Sequence, residues 1–136
     1  KNNGMGLRFR HKGDTQFRER HHKAVVTRES SLQLTRNDVL LLNVKSNLKA
    51  GAQIALGLQC GKDHKYYESP PEFVRPGKNS NINFELTGKH FKTRDTDWKY
   101  KAALPPRFRL ERIFIIIFPQ QKNGRVTVTN FRKVTP

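Results

Sequence analysis

Apolar and polar residues alternate with a period of two along most of this chain. Leu7-Arg8-Phe9-Arg10 alternates apolar and basic, and Ser31-Leu32-Gln33-Leu34-Thr35 alternates cleanly. Asn81-Ile82-Asn83-Phe84-Glu85-Leu86-Thr87 is the best-developed run, with Ile82, Phe84 and Leu86 on one side. Successive side chains of an extended strand point to opposite faces, so the pattern predicts strands with one covered face. Ala24-Val25-Val26-Thr27 adds a β-branched segment. Val39-Leu40-Leu41-Leu42-Asn43-Val44 and Leu110 to Phe118 are fuller apolar runs, predicting strands covered on both faces. In Gln53-Ile54-Ala55-Leu56-Gly57-Leu58-Gln59, Ile54, Leu56 and Leu58 share the core face. The opposite face shows Gln53, Ala55, Gly57 and Gln59, a flat surface of small and amide groups of the kind that mostly meets solvent and can accept a sugar ring.

Turn chemistry divides these segments. Asn47-Leu48-Lys49-Ala50-Gly51 reads as a turn, Ser69-Pro70-Pro71 stops Lys65-Tyr66-Tyr67-Glu68, and Pro76-Gly77 follows Glu72-Phe73-Val74-Arg75. Asn123-Gly124 predicts a hairpin turn before the closing strand Arg125–Phe131, with Val126 and Val128 inward. Residues 88–107 are the least regular stretch, with a short helical turn expected near His90–Thr93. About nine strands, spaced roughly ten residues apart with no amphipathic helix, predict an all-β antiparallel sandwich or barrel.

The length of 136 residues fits one domain, with residues 1–4 as a loose N-terminal end. Hydrophobic residues are only 35%, but nine Phe, three Tyr and one Trp argue for a packed core rather than disorder. The longest apolar run, Ile113–Phe118, has strand length and falls far short of the ~20 residues that span a bilayer as a helix. The chain begins at Lys1 rather than Met, which reads as an excised domain or a processed product. Cys60 is the single cysteine, so there is no internal disulfide framework and no multi-cysteine zinc site.

Charge sharpens the picture more than composition does. The net charge is +16, and it is unevenly spread. Residues 1–36 hold nine Lys/Arg against three Asp/Glu, residues 37–88 six against five, and residues 89–136 twelve against three. Brought together, the two basic ends would form one positive surface that attracts polyanions by its field. The excess is large for solubility alone, for which about 2–8 suffices.

Four aromatic residues are candidates for stacking on a ligand: Tyr66, Tyr67, Trp98 and Tyr100. Trp and Tyr can cover the apolar C–H face of a sugar while their polar tips bond its rim. Tyr66 and Tyr67 are adjacent, so a strand turns them to opposite faces and at most one reaches a given binding face. Trp98 and Tyr100 share a face if that segment is extended. Around them lie Lys89, Lys92, Arg94, Lys99, Lys101, Arg107 and Arg109; Lys92, Arg94 and Lys99 are the closest charged candidates. Arg pairs bidentately with carboxylate, sulfate or phosphate, and Lys acts as a point charge. The same stacking and charge would serve single-stranded nucleic acid.

Catalytic and metal-binding readings find little support. The close acidic pairs are Asp95/Asp97 and Glu68/Glu72, and the first lies among Lys and Arg, as loop-capping residues do. No Ser-His-Asp context and no glycine-rich phosphate loop is present. His21 and His22 are adjacent and face opposite ways on a strand, so they chelate one metal poorly, and no zinc spacing occurs.

From Val39 onward the order of segments resembles the galactose-binding-like jelly-roll carbohydrate-binding modules appended to glycoside hydrolases. The resemblance is carried by Asn47–Gly51 leading into Ile54-Ala55-Leu56-Gly57-Leu58, by Tyr66-Tyr67-Glu68-Ser69-Pro70-Pro71 and by Pro76-Gly77-Lys78-Asn79. It continues through Ile82-Asn83-Phe84-Glu85-Leu86, Phe91-Lys92 with Trp98-Lys99-Tyr100, and the closing strand Arg125–Phe131. It covers residues 39–134. It implies a jelly roll, a non-catalytic role, and a secreted (extracellular or periplasmic) protein that targets an attached catalytic domain to polysaccharide. Such modules often carry an aspartate before the last apolar residues of their closing strand, near a structural calcium. Asn130 stands there in this chain, and acids are few, so calcium is expected to be weak or absent. Charge favours an acidic polysaccharide, with a neutral β-glucan or mannan left open. The rivals are a basic β-domain binding nucleic acid and a domain docking electrostatically on an acidic protein partner.

Overall fold

The computed structural model describes residues 7–12, 24–46, 51–75, 79–119 and 123–135. Among them run ten strands: β1 Leu7–Lys12, β2 Ala24–Thr35, β3 Val39–Ser46, β4 Ala52–Cys60, β5 Lys65–Glu68, β6 Glu72–Val74, β7 Asn79–Glu85, β8 Lys92–Thr93, β9 Arg107–Pro119 and β10 Asn123–Val134. A 3₁₀ turn, Arg94–Thr96, follows β8. All strand pairings are antiparallel. One sheet has four strands in the order β1-β10-β3-β7; the other has six, β2-β9-β4-β5-β8 with β6 also paired to β4.

One buried cluster draws on both sheets and makes the fold a sandwich. Leu40, Leu42, Val44, Ile82, Phe84, Val128 and Phe131 come from the four-stranded sheet. Ile54, Leu56, Leu58, Leu110, Ile113, Ile115 and Ile117 come from the six-stranded sheet. The inward faces expected for β4 and β7 are the observed ones. β3 is covered on one face, with Val39, Leu41 and Asn43 half-buried. β9 and β4 both carry buried residues on both faces: Ile115, Ile116 and Ile117 are all buried, and so are Ile54, Ala55 and Leu56.

Bulges reset the alternation. Val128 and Phe131 are both buried although they are three residues apart, and the β10–β3 register shifts between Thr129 and Arg132. Leu110 and Ile113 repeat this on β9, where the pairings with β2 and β4 both slip. An extra residue in one strand returns the next side chain to the same face. The same slip joins the Ala24–Thr27 and Ser31–Thr35 segments into the single strand β2.

Two local expectations shift. The helical turn lies at Arg94–Thr96 instead of His90–Thr93, where β8 forms. Asn123 and Gly124 open β10, paired with Lys12 and His11, rather than forming a turn. The predicted turn residues 47–50 and 76–78, the end 1–4, and His21 and His22 lie outside the described residues.

The two basic ends do meet, but in separate sheets. β1 pairs with β10 in one sheet and β2 with β9 in the other. The nearly neutral middle of the chain supplies β3 to β7. Asp38, only 2% exposed, fixes the β2–β3 turn. It accepts from the Thr35 amide at 2.8 Å and from the Thr135 hydroxyl at 2.7 Å, tying that turn to the end of the chain.

Candidate functional site

The outward face of the six-stranded sheet carries a row of aromatic rings. On β4, Gly57 stands opposite Phe114 of β9 and Glu68 of β5. Having no side chain, Gly57 lets the Tyr66 ring settle over the strand: an added Cβ would lie 2.6 Å from Tyr66 Cε1 and 2.8 Å from Cζ. Tyr66 meets Phe114 edge to face at 5.5 Å between ring centroids. Its other side faces Trp98 at 6.4 Å, with the planes inclined at 57°. Phe114, Tyr66 and Trp98 thus form a continuous aromatic line, and the inclination makes the last two adjoining walls rather than one flat plate.

Trp98 is presented by a tightly bonded turn. Thr93 stands at the N-cap of the Arg94–Thr96 turn, and its amide donates to the Thr96 hydroxyl at 3.2 Å. The Thr93 hydroxyl donates to the Tyr66 carbonyl at 2.6 Å, fastening the turn to β5. The Thr96 hydroxyl lies 2.9 and 2.7 Å from the Thr93 and Lys99 carbonyls and donates its one proton to either, and the Trp98 amide donates to the Thr93 carbonyl at 3.0 Å. Asp97 and Trp98 both take left-handed backbone, at φ 57° and 62°. That conformation costs an L-residue roughly 1–2 kcal/mol and is uncommon for a bulky one. Trp98 nonetheless stays 50% exposed. The segment is not extended: the two left-handed residues curl the chain, so Trp98 and Tyr100 do not share a strand face.

Tyr100, 42% exposed, joins the site through Lys92, whose Nζ lies 5.2 Å from its ring centroid. Lys92 also pairs with Glu68 at 3.3 Å, and Tyr66 donates to Glu68 at 2.8 Å. The Glu68 side chain, 14% exposed, is therefore the hub behind the rings. Partial burial works against the Lys92 charge, but Glu68 and then Tyr100 outweigh it and raise its pKa. Burial, with the Glu68 hydrogen bond and charge added, pushes the Tyr66 phenol upward, so it stays a neutral donor.

Tyr67 faces the other way and lies in the core at 5% exposure, so β5 contributes Tyr66 alone to the outward face. Lys65 sits 5.5 Å from the Tyr67 ring centroid and pairs with Asp95. The hydrogen bond to Lys65 is the main cause that lowers the Asp95 pKa, and the same bond raises that of Lys65. Arg94 and Lys99 are exposed beside Trp98, as is Lys101, and neither Lys99 nor Lys101 makes an ion pair among the described residues. The structure therefore brings Tyr66, Tyr100, Lys92 and Trp98 together, flanks them with Arg94 and Lys99, and separates Tyr67.

Sequence reasoning missed Phe114 and the hub role of Glu68. Phe114 lies inside an uninterrupted apolar run, whose outward phase is set by the bulge. Glu68 did carry a signal, since residues 66 and 68 share one strand face. The acidic pairs are occupied otherwise: Asp95 with Lys65, Glu68 with Lys92 and Tyr66. Among the described residues no three His, Cys, Asp or Glu gather in a way that could hold a metal ion. No helix among them is long and apolar enough to cross a membrane.

The chain matches no family model and no curated protein.

Proposed function

We propose that this chain is a non-catalytic glycan-binding domain whose platform is Trp98, Tyr66 and Tyr100, backed by Phe114, with Lys92, Arg94 and Lys99 at its rim. The observation that carries this reading is Trp98: a large aromatic held half exposed on left-handed backbone by a bonded turn, 6.4 Å from a second ring. Strain retained at an exposed side chain is a mark of a functional position. Inclined aromatic walls suit the C–H faces of sugar rings, and the Glu68 hub fixes Tyr66 and Lys92 beforehand, reducing the entropy lost on binding. The net charge of +16, with Lys99 and Lys101 making no ion pair among the described residues, favours an acidic polysaccharide. The segment order adds the remainder of the reading: a jelly-roll module, secreted, that directs an attached polysaccharide-active enzyme to its substrate.

Affinity electrophoresis against neutral and acidic polysaccharides, at low and high salt, tests it with the wild type and Trp98→Ala. Retardation by a glycan that is lost in a folded Trp98→Ala supports the reading. Binding to polyanions only, equal for DNA, steeply salt-dependent and unchanged in Trp98→Ala, overturns it in favour of a basic domain that binds nucleic acid by charge.

A further inference from the structure

A groove at the far edge of the sandwich differs in charge from the rest of this basic chain. It runs beside β7, the edge strand of the four-stranded sheet, where β6 and the residues before it pass close by. Two adjoining hollows form it. One, of about 290 Å³, is lined by Ser69, Glu72, Asn83, Glu85 and His90 among others. The next, of about 420 Å³, shares Glu72 and Asn83 and adds Phe73, Arg75 and Asn81. The larger hollow falls within the range of roughly 300–1,000 Å³ typical of small-ligand clefts, and the smaller lies at its lower edge.

The lining is chemically specific. Glu29, Glu68, Asp95 and Glu111 all pair with cations, whereas Glu72 and Glu85 make no ion pair among the described residues. Two carboxylates left open in one groove, on a chain of +16, offer strong acceptors and repel anions. Asn83 and Asn81 point outward beside them, opposite the buried Ile82 and Phe84. Asn81 Oδ1 accepts from Asn43 at 2.8 Å, which orients its NH₂ as a donor. His90 is held on Phe91 at 4.5 Å between centroids, with Nε2 3.0 Å from the Glu85 carbonyl. At the open end stands Phe73, 54% exposed. Its ring rests on Gly51, where an added Cβ would lie 2.7 Å from Cζ, so its position depends on residue 51 having no side chain.

We infer that this groove is a second carbohydrate site, separate from the Trp98 platform, that takes a neutral sugar. Carboxylates accept from vicinal hydroxyls, the Asn amides donate back to hydroxyl oxygens, and Phe73 covers a C–H face. Glu72 and Glu85 disfavour uronate and sulfate, outnumbering Arg75, the one cation of the lining. The inference rests on the reading of the chain as a glycan-binding domain, and it gives that domain two contacts of opposite charge preference.

The test is a ¹H–¹⁵N titration with cellohexaose, xylohexaose and mannohexaose at high salt, on the wild type, Trp98→Ala and the double variant Phe73→Ala/Asn83→Ala. The expected result is that one of these sugars shifts the amides of Glu72, Phe73, Asn81, Asn83 and Glu85, and does so equally in Trp98→Ala. The double variant, its other amides unmoved, then binds at least tenfold more weakly. Shifts confined to the surroundings of Tyr66, Trp98 and Tyr100 overturn the groove while leaving the platform reading intact. No shift with any of the three sugars also overturns the groove, and the platform then stands or falls on acidic polymers. Shifts at the groove without any at the platform support the groove and remove the neutral-sugar case for Trp98.

Discussion

The Tyr66 phenol donates a 2.8 Å hydrogen bond to Glu68 Oε1, and the other oxygen of that carboxylate lies 3.3 Å from Lys92 Nζ. One acid thus sets both an aromatic wall and the cation that reaches Tyr100. Glu68→Gln keeps an acceptor for Tyr66 and removes the charge that holds Lys92. Glu68→Ala removes both and leaves the phenol of a half-buried ring unpaired, at a cost of about 1–2 kcal/mol. Glycan binding is expected to fall about threefold in Glu68→Gln and tenfold or more in Glu68→Ala, by calorimetry, with a stability loss confined to the second. Equal losses in both would show that Lys92, rather than the fixed Tyr66, carries the effect.

Gly57 supports the same ring by its lack of a side chain. Its backbone is not left-handed, so alanine fits the strand, but the new Cβ would come within 2.6 Å of Tyr66 Cε1. The ring must lift, breaking its contacts with Phe114, Trp98 and Glu68. Gly57→Ala is therefore expected to abolish platform binding and to quench or shift Trp98 fluorescence, while the core stays intact in the methyl spectrum. An unchanged affinity would mean that the ring position is immaterial to the ligand.

The β-sandwich was legible because inward positions alternate: Ile54, Leu56 and Leu58, or Ile82, Phe84 and Leu86, announce their face by spacing alone. Bulges were not legible, because one extra residue on β9 or β10 changes which side chains face the core without changing composition. Phe114 was hidden for this reason. The alternation did separate Tyr66 from Tyr67, but only the register with Gly57, Gln59 and Thr93 tells which one meets the outside. The polar company of Trp98 pointed to its exposure. Its left-handed backbone could not be read, since it follows from a turn stapled by Thr93 and Thr96. The Glu68–Lys92 pair joins residues distant in sequence through the β5–β8 register, which local pattern does not encode.

The buried titratable groups predict alkaline lability. Burial pushes the Cys60 thiol from 9.0 up to about 12, and the Tyr66 phenol is raised as well. The native state then keeps protons that the unfolded chain has released, so stability is full below pH 9 and falls as pH rises toward 12. A shift of this size for Cys60 corresponds to about 4 kcal/mol across that interval. The Lys92 pKa is raised too, and its contribution with Glu68 persists below its ordinary value of 10.5 and fades above it. Urea midpoints measured from pH 8 to 11 should decline, and Cys60→Ala should flatten the decline that begins at pH 9. An identical slope in that variant would move the cause away from Cys60.

Asp38 is the buried acid on which the closure of the chain depends. Its oxygens serve the Thr35 amide and the Thr135 hydroxyl, and its own carbonyl accepts from the Leu86 amide at 3.3 Å. Asp38→Ala leaves the half-buried Thr35 amide without its acceptor and should cost about 1–3 kcal/mol, read as a lower urea midpoint with unchanged slope. Asp38→Asn retains one acceptor oxygen and should recover about half. Thr135→Val should reproduce the smaller part. If Thr135→Val matches Asp38→Ala, the contact to the C-terminal end dominates and the β2–β3 turn does not need the carboxylate.

Trp98 offers the sharpest separation of stability from binding. Its φ of 62° is a conformation in which glycine is at ease and alanine is not. Removing the ring forfeits the tilted contact with Tyr66, worth about 0.5–1.5 kcal/mol, and glycine returns roughly 1–2 kcal/mol of backbone strain. Trp98→Gly should therefore unfold within about 1 kcal/mol of the wild type, while Trp98→Ala, which loses the ring and keeps the strain, should be less stable than Trp98→Gly. Both should lose platform binding by tenfold or more. This order, glycine above alanine in stability with neither binding, is what a residue kept for its ligand at a structural cost produces. A Trp98→Gly variant as destabilised as Trp98→Ala, or one that still binds, would return Trp98 to an ordinary surface packing role.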